Sequence, residues 1–350
     1  MSIVVDRFVD AVITDAVSPL QPLIMQRSSY LFLYETFKHN SQCVRANSLH
    51  PAAIWTENFW CLRFLKKHGT TIPMKQILSI QSAVTFGFVG NSVAAPVIAT
   101  LGMQPLLIDT ISLAAHPGYG TIAGGPADHA QFTAILDALA TLHVLPQINC
   151  VVTGYLGDAR QAGPIHSMIQ DWQTERHDGL YILDPVLGDG GRLYVNPTVV
   201  DQIRQTLLPR AHIVTPNQFE LGLLTESQIH SVHDAIKAAK TLLQQHPHLQ
   251  TVIATGIANT DHGISDLKVS RHNVNECDYA KRPHGVAGGG DLLTAILACW
   301  LTAGHGLSAA FAAASQDAHH IIDDSATAID IALFDNLHRL TACGSADRAS

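Results

Sequence analysis

Charge is scarce in this chain: only 14% of its 350 residues are Asp, Glu, Lys or Arg, against roughly 25% in an average soluble domain. What cations there are lie dispersed. No Lys/Arg run exceeds a pair and the net charge is −8, which speaks against a nucleic-acid partner, because a phosphate backbone needs clustered cations. The CxxC pair is missing. Six cysteines stand singly at 43, 61, 150, 277, 299 and 343, so neither a zinc ribbon nor a redox dithiol is indicated, and isolated thiols fit a reducing cytosol. No apolar run reaches 18 residues, so no membrane-spanning helix is expected. Asp6, Asp10 and Asp15 stand where a secretory signal would be basic, and a cytoplasmic protein is expected. Internal repeats, low-complexity linkers and the G-x-G-x-x-G dinucleotide spacing are all lacking. Twenty histidines invite a metal reading, centred on Asp317, His319, His320, Asp323 and Asp324. Adjacent histidines on a helix point apart and no spacing is typical of a metal site, so a solvated helix end is the expectation there.

Apolar residues make up 47% of the chain, enough for a sizeable core. The low charge suits a compact enzyme that buries surface in a homodimer. Residues 1–73 carry two of the four tryptophans, Trp55 and Trp60, and little periodicity; they read as a poorly ordered extension. At Met74 the character changes. Short Val/Ile/Leu runs near 76–81, 105–110, 148–153, 180–184, 211–214 and 251–255 read as buried parallel strands. Helical patterns near 90–102, 128–144, 160–174, 197–207 and 231–245 alternate with them. An edge hairpin is expected near 264–280, and an Ala-rich helical region from Asp291 to about 320. Alternation of this kind implies right-handed crossovers and a sheet covered on both faces. One α/β domain is expected over 74–340, with a disordered tail at 341–350.

Ligands of such sheets sit at the carboxyl ends of strands, and those positions here are chemically loaded. Gly288-Gly289-Gly290-Asp291 opens a helix, where backbone N–H groups and the helix dipole favour an anion. A carboxylate beside an anion site could take a proton from a hydroxyl that attacks a phosphoryl group; it is equally an ordinary N-terminal cap. Asp184-Pro185-Val186-Leu187-Gly188-Asp189 places two carboxylates around a turn, suited to a hard cation or simply to turn chemistry. Asn217 and Glu220 in TPNQFE share a face at a helix start and could orient water or metal, or could merely cap the helix. Ser82 ends the first strand and Gly90-Asn91-Ser92 opens the first helix. His116-Pro117-Gly118-Tyr119-Gly120 and Thr153-Gly154-Tyr155-Leu156-Gly157 follow the next two strands; such aromatics and hydroxyls suit a flat heteroaromatic ligand.

Taken in order, IQSAVTFGFVGNSVAAPVI, TGYLG, DPVLGD, TPNQFE and AGGGD resemble the pyridoxal kinases of the ribokinase-like superfamily from Met74 to about residue 340. The resemblance implies a three-layer sandwich, its mostly parallel central sheet covered by helices on both faces. It implies transfer of a phosphoryl group from ATP to the hydroxymethyl group of a B6 vitamer, with ATP and Mg2+ required and a monovalent cation such as K+ left open. Ser82, His116 and Tyr155 match substrate-pocket residues. Asp184 and Asp189 match the acidic residues near metal and nucleotide phosphates. Thr215, Asn217 and Glu220 match the group that organises metal, water and phosphate, so that Asp184 and Glu220 are the implied metal residues. Thr255 matches a phosphate-contacting threonine. Gly288, Gly289 and Gly290 match the anion hole, with Gly289 also at the nucleotide, and Asp291 matches the catalytic base beside the substrate. The chain departs from the family at Gly289, where Thr, Ser or Val is common, at Ala114-Ala115, where Ser-Asn is common, and at Phe86, where Tyr is frequent. The 73-residue leader has no family counterpart. Hydroxymethylpyrimidine kinase and a non-catalytic B6-binding homologue are the alternatives.

Overall fold

The computed structural model describes residues 74–259, 263–281, 285–325 and 328–344. The expected extension over 1–73 and residues 345–350 of the expected tail lie outside the described residues.

Construction of the sheet starts from β1 (Gln76–Phe86), whose first half is buried on both faces. β2 (Gln104–Ala115) and β4 (Ile148–Thr153) pair with it in parallel, one on each side. β5 (Leu180–Leu183), β8 (Ile213–Val214) and β9 (Thr251–Asn259) continue the parallel run. β3 (Gly124–Pro126), β10 (Gly263–Ser270) and β11 (Val274–Tyr279) add antiparallel edges, giving the nine-stranded order β11-β10-β9-β8-β5-β4-β1-β2-β3. A separate two-stranded ribbon joins β6 (Gly188–Asp189) to β7 (Arg192–Leu193).

Two apolar layers sandwich the sheet, and the pleat divides each strand between them. Leu78, Ile80, Val151, Tyr181, Leu183, Val214, Val252 and Ala254 face one layer; Ile77, Cys150, Val152, Ile182, Ile213 and Ile253 face the other. On the first face pack α2 (His129–Thr141), α3 (Ala162–Glu175), α4 (Pro197–Gln202), α5 (Gln218–Thr225) and α6 (Val232–Gln245). On the second pack α1 (Asn91–Thr100), α7 (Gly289–Ala303), α8 (Leu307–Asp324) and α9 (Leu333–Asn336). α6 illustrates the logic. Ala235, Ala238, Ala239, Leu242 and Leu243 form its buried stripe, and Ser231 caps its first turn. Each such Leu contributes about 1.5–3 kcal/mol by leaving water. In α3 the indole of Trp172 is fully buried and donates to the Ile148 carbonyl at 3.0 Å.

This is the expected α/β three-layer sandwich. The differences are local. β1 and β2 run further than expected, α5 follows the helix start read at TPNQFE, and β3, the β6–β7 ribbon and α9 were not anticipated. The Ala-rich region is broken at Gly304, in the left-handed conformation at φ 102°, into α7 and α8. Asp317 and His319 are buried, not part of a solvated helix end. The tail boundary also moves, because Thr341 bonds Asp317 through its N–H (2.8 Å) and hydroxyl (3.0 Å), and Cys343 is buried. Among the described residues no helix is long and apolar enough to cross a membrane.

The strand order reverses at β1, since the chain leaves it first toward β2 and later toward β4. A crevice for ligands opens at the carboxyl ends of strands at such a point.

Candidate active site

β1 stays paired with β2 as far as Phe86 but parts from β4 after the Ile80–Thr153 pair. Ser82 is buried just beyond that parting. Gly90 comes down on it: at φ 55°, ψ −129° its conformation suits glycine, and a Cβ there would collide with the Ser82 carbonyl oxygen. The freed space lets the Gly90 N–H bond the Asp291 carboxylate. Ser82, Gly90 and Asp291 are thus consecutive neighbours, although the first and last are 209 positions apart in sequence.

Asp291 lies in the first turn of α7. Gly288 precedes that helix at φ 90°, and a Cβ on it would strike the Phe88 carbonyl oxygen. The first-turn N–H groups have no acceptor within the helix. Gly289 has a different reason. The Cδ1 of Ile322 lies 2.7 Å from where its Cβ would be, so a side chain of α8 fills the space that Thr, Ser or Val would take. Burial pushes the Asp291 carboxyl up to about 6, against the Gly90 N–H, which pulls it down.

Asp184 directly follows β5 and is buried, its Oδ2 accepting from the Thr294 hydroxyl at 2.9 Å; Thr294 in turn meets the Thr215 hydroxyl at 3.1 Å. Burial raises its pKa well above the ordinary carboxylate range, and the charges of Glu220 and Asp291 add to that. The loop after it carries Val186 at φ 42°, a strained conformation for a β-branched residue and one that concentrates at functional sites. Glu220 holds this loop. Its Oε1 accepts from the N–H of Leu187 (2.8 Å) and Gly188 (3.4 Å), its Oε2 from that of Asn217 (2.9 Å). Asn217 Oδ1 accepts from the Glu220 N–H at 2.9 Å, closing a reciprocal cap on α5. Burial lifts Glu220 to about 7, against those N–H donors.

Thr215 and Asn217 follow β8, and Asn217 bridges to Thr255 in β9. Asp189 is exposed and accepts from the Gly190 N–H of its own turn at 2.7 Å. Tyr155 is half-buried behind β4. His116 stands in a separate group. Its Nε2 is 2.7 Å from Asp330 Oδ1, its Nδ1 accepts the Gly118 N–H at 3.1 Å, and Tyr119 donates to Asp330 Oδ2 at 2.6 Å. Nδ1 is taken by the Gly118 N–H, while Nε2 lies against the Asp330 carboxylate without a well-formed hydrogen bond. Phe86 packs edge-on against Tyr119 at 5.1 Å.

The structure therefore gathers Asp184, Thr215, Asn217, Glu220, Thr255, the glycine turn and Asp291 along one line of strand ends, with Ser82 beside Asp291. Sequence reading missed Thr294 and Asp330, and named Gly90 and Val186 within motifs without giving them a role. Thr294 had a local signal, one helical turn after Asp291 on an inward face. The buried Asp184 and Glu220 and the half-buried Asp291, all with raised pKa values, form a surplus of negative charge that a cation would offset. Among the described residues no three His, Cys, Asp or Glu side chains are placed to hold a metal by themselves. That donor set fits magnesium held by one or two carboxylates together with phosphate oxygens and water.

The phosphomethylpyrimidine kinase family model matches residues 129–331. The chain is 35% identical over 244 residues to a pyridoxine/pyridoxal/pyridoxamine kinase of Bordetella avium, covering 69% of this chain and 82% of the relative. The crystal structure of pyridoxal kinase from Entamoeba histolytica superposes with a TM-score of 0.71 at 26% identity, over 78% of this chain and 98% of that one. The Leishmania donovani pyridoxal kinase in complex with ADP and pyridoxamine superposes with a TM-score of 0.70 at 26% identity, over 76% of this chain and 95% of that one.

Proposed function

The chain belongs to the pyridoxal kinases of the ribokinase-like superfamily, and from that premise we propose that it moves the terminal phosphoryl group of ATP onto the hydroxymethyl group of pyridoxal, pyridoxine or pyridoxamine. The observation that carries this reading is the Asp291 carboxylate, which lies in the first turn of a helix with unsatisfied N–H groups and beside Ser82. The hydroxymethyl oxygen forms a bond to the terminal phosphorus, the bond from phosphorus to the ADP oxygen breaks, and Asp291 accepts the hydroxyl proton. A carboxyl titrating at about 6 is ionised at neutral pH and still a usable base. Gly288, Gly289 and Gly290 direct backbone donors at the transferred group, where charge builds up. Ser82 hydrogen-bonds the pyridine ring, and Tyr155 and the His116 ring line the same pocket. Thr215, Asn217, Thr255 and Asp189 surround the nucleotide phosphates.

Asp184 and Glu220 would hold magnesium, Glu220 largely by fixing the Leu187–Gly188 backbone. When bound, the ion supplies neutralising charge to the phosphates. A homodimer is part of the proposal, supported by exposed Leu107 and Ile122 near the β2–β3 edge. So is a cytoplasmic location, supported by the isolated cysteines.

ATP turnover with the three vitamers and with hydroxymethylpyrimidine tests the reading. Vitamer turnover should exceed pyrimidine turnover, vanish with a chelator and return with magnesium. Preference for the pyrimidine would favour hydroxymethylpyrimidine kinase activity instead. Pyridoxal binding without ATP consumption would make the protein a non-catalytic homologue, and full activity in excess chelator would eliminate the metal arrangement.

A further inference from the structure

β9 and β10 do not pair evenly. Ala254 stands opposite Leu267 and Ile257 opposite Ser265, so both Thr255 and Gly256 face the single residue Asp266. This is a β-bulge, with its second residue, Gly256, in the left-handed region at φ 62°. Bulges break the ladder and re-aim a side chain, and they concentrate next to active sites. The Gly256 N–H, cut off from the ladder, donates instead to Asp266 Oδ1 at 2.9 Å.

Asp266 is almost completely buried, at 1% exposure. Its other oxygen is fully used as well. Oδ2 accepts from the Ser315 hydroxyl at 2.7 Å and lies 3.0 Å from His319 Nε2. Ser315 and His319 are four apart on the buried face of α8. The His319 ring stacks on Tyr279 of β11 with centroids 3.5 Å apart and planes at 9°, and the Tyr279 hydroxyl meets Ser315 at 2.9 Å. A carboxylate buried this deeply is costly unless fully satisfied. An ordinary strand would have needed none of this, because the Gly256 N–H would have bonded a carbonyl.

From this we infer that Asp266, braced by Ser315 and His319, is a positioning residue for nucleotide binding: it pins the bulge that turns Thr255 toward Asn217 and the phosphate region. The inference rests on Thr255 contacting the nucleotide, as proposed above. Its chemistry is indirect, since Asp266 is one residue removed from any ligand and acts through the Thr255–Gly256 backbone. A purely structural carboxylate would lower stability on removal and leave both Michaelis constants in proportion. A positioning carboxylate moves the constant for ATP alone.

The test uses the full chain and steady-state kinetics with pyridoxal and ATP varied separately. Asp266→Asn should raise the KM for ATP roughly tenfold, the scale of losing one hydrogen bond to a charged group, with the KM for pyridoxal within about twofold of the parent value. Thr255→Ala should raise the same constant, and the double variant should be no worse than the more affected single one. Ser315→Ala and His319→Gln leave the carboxylate in place and loosen only its brace; each should raise the KM for ATP by a smaller factor, about threefold, and they replace Asp266→Asn in the test if that variant does not fold. An unchanged KM for ATP in Asp266→Asn, or in both brace variants where it fails to fold, overturns the inference. If Thr255→Ala alone leaves the KM for ATP unchanged, the assignment of Thr255 to the nucleotide is wrong, and the inference goes with it. If Thr255→Ala raises that constant and Asp266→Asn does not, the nucleotide assignment stands and only the positioning role is lost.

Discussion

Ser82 and Asp291 were legible because each sits where chain chemistry changes abruptly, one at the end of a buried run, the other after three glycines. Asp330 was not legible. It reaches His116 and Tyr119 across more than two hundred residues, and nothing near it in sequence marks it. Gly90 was read as the opening of a helix, but its conformation also serves Ser82 and Asp291, which only the folded chain brings together. Of the two readings of Asn217 and Glu220 the structure shows the cap on α5, and Glu220 also holds the Leu187–Gly188 loop. If Ser82 reads the substrate ring, Ser82→Ala costs about 1 kcal/mol, the usual worth of one neutral hydrogen bond. Steady-state kinetics should show the KM for pyridoxal rising about fivefold and that for ATP unchanged. An equal rise in both would remove Ser82 from the vitamer pocket.

Elements were legible where burial dictates sequence. Strands β1, β4, β5 and β9 are runs of Val, Ile and Leu because helices cover both of their faces, and such runs leave no polar alternation to mislead. Short elements escaped. β6 and β7 have two residues each, too few for a period, and α5 is an eight-residue helix of which only the capped start was legible. The break at Gly304 was hidden by helix-forming alanines on both sides. The start of α7 supports a prediction in which two principles oppose each other. Propensity alone says that alanine stabilises a helix better than glycine. At Gly288 the left-handed backbone costs a Cβ about 1–2 kcal/mol, and the Phe88 carbonyl oxygen blocks it as well. Gly288→Ala should therefore lower the melting temperature and reduce kcat at least tenfold. A raised melting temperature with full turnover would show that the turn relaxes freely.

On the scale of the whole molecule, the described sheet opens with β1 at Gln76. The Entamoeba kinase is matched over 98% of its length by 78% of this chain. A chain starting at Met74 should therefore stay soluble and keep its turnover; loss of soluble protein would show that residues 1–73 are needed for the core. The same view sets stability against function. Asp291 titrates at about 6 against an ordinary 3.8. A carboxyl raised in this way favours the fold below its unfolded pKa, and that contribution is lost as pH rises through about 6. At neutral pH the ionised group is a cost borne by the fold, as expected of a site kept for catalysis. Asp291→Asn removes that cost, so the variant should melt higher than the parent at pH 8. The most direct test of the account is the pH dependence of ATP-dependent pyridoxal phosphorylation in the parent and in Asp291→Asn. The parent's kcat/KM should climb with pH through about 6 and level off. The variant should still bind ATP and pyridoxal, with kcat lowered by about 10²–10⁴, the usual contribution of a positioned general base, and with that acid limb gone. Near-normal kcat in Asp291→Asn would contradict the account at its centre.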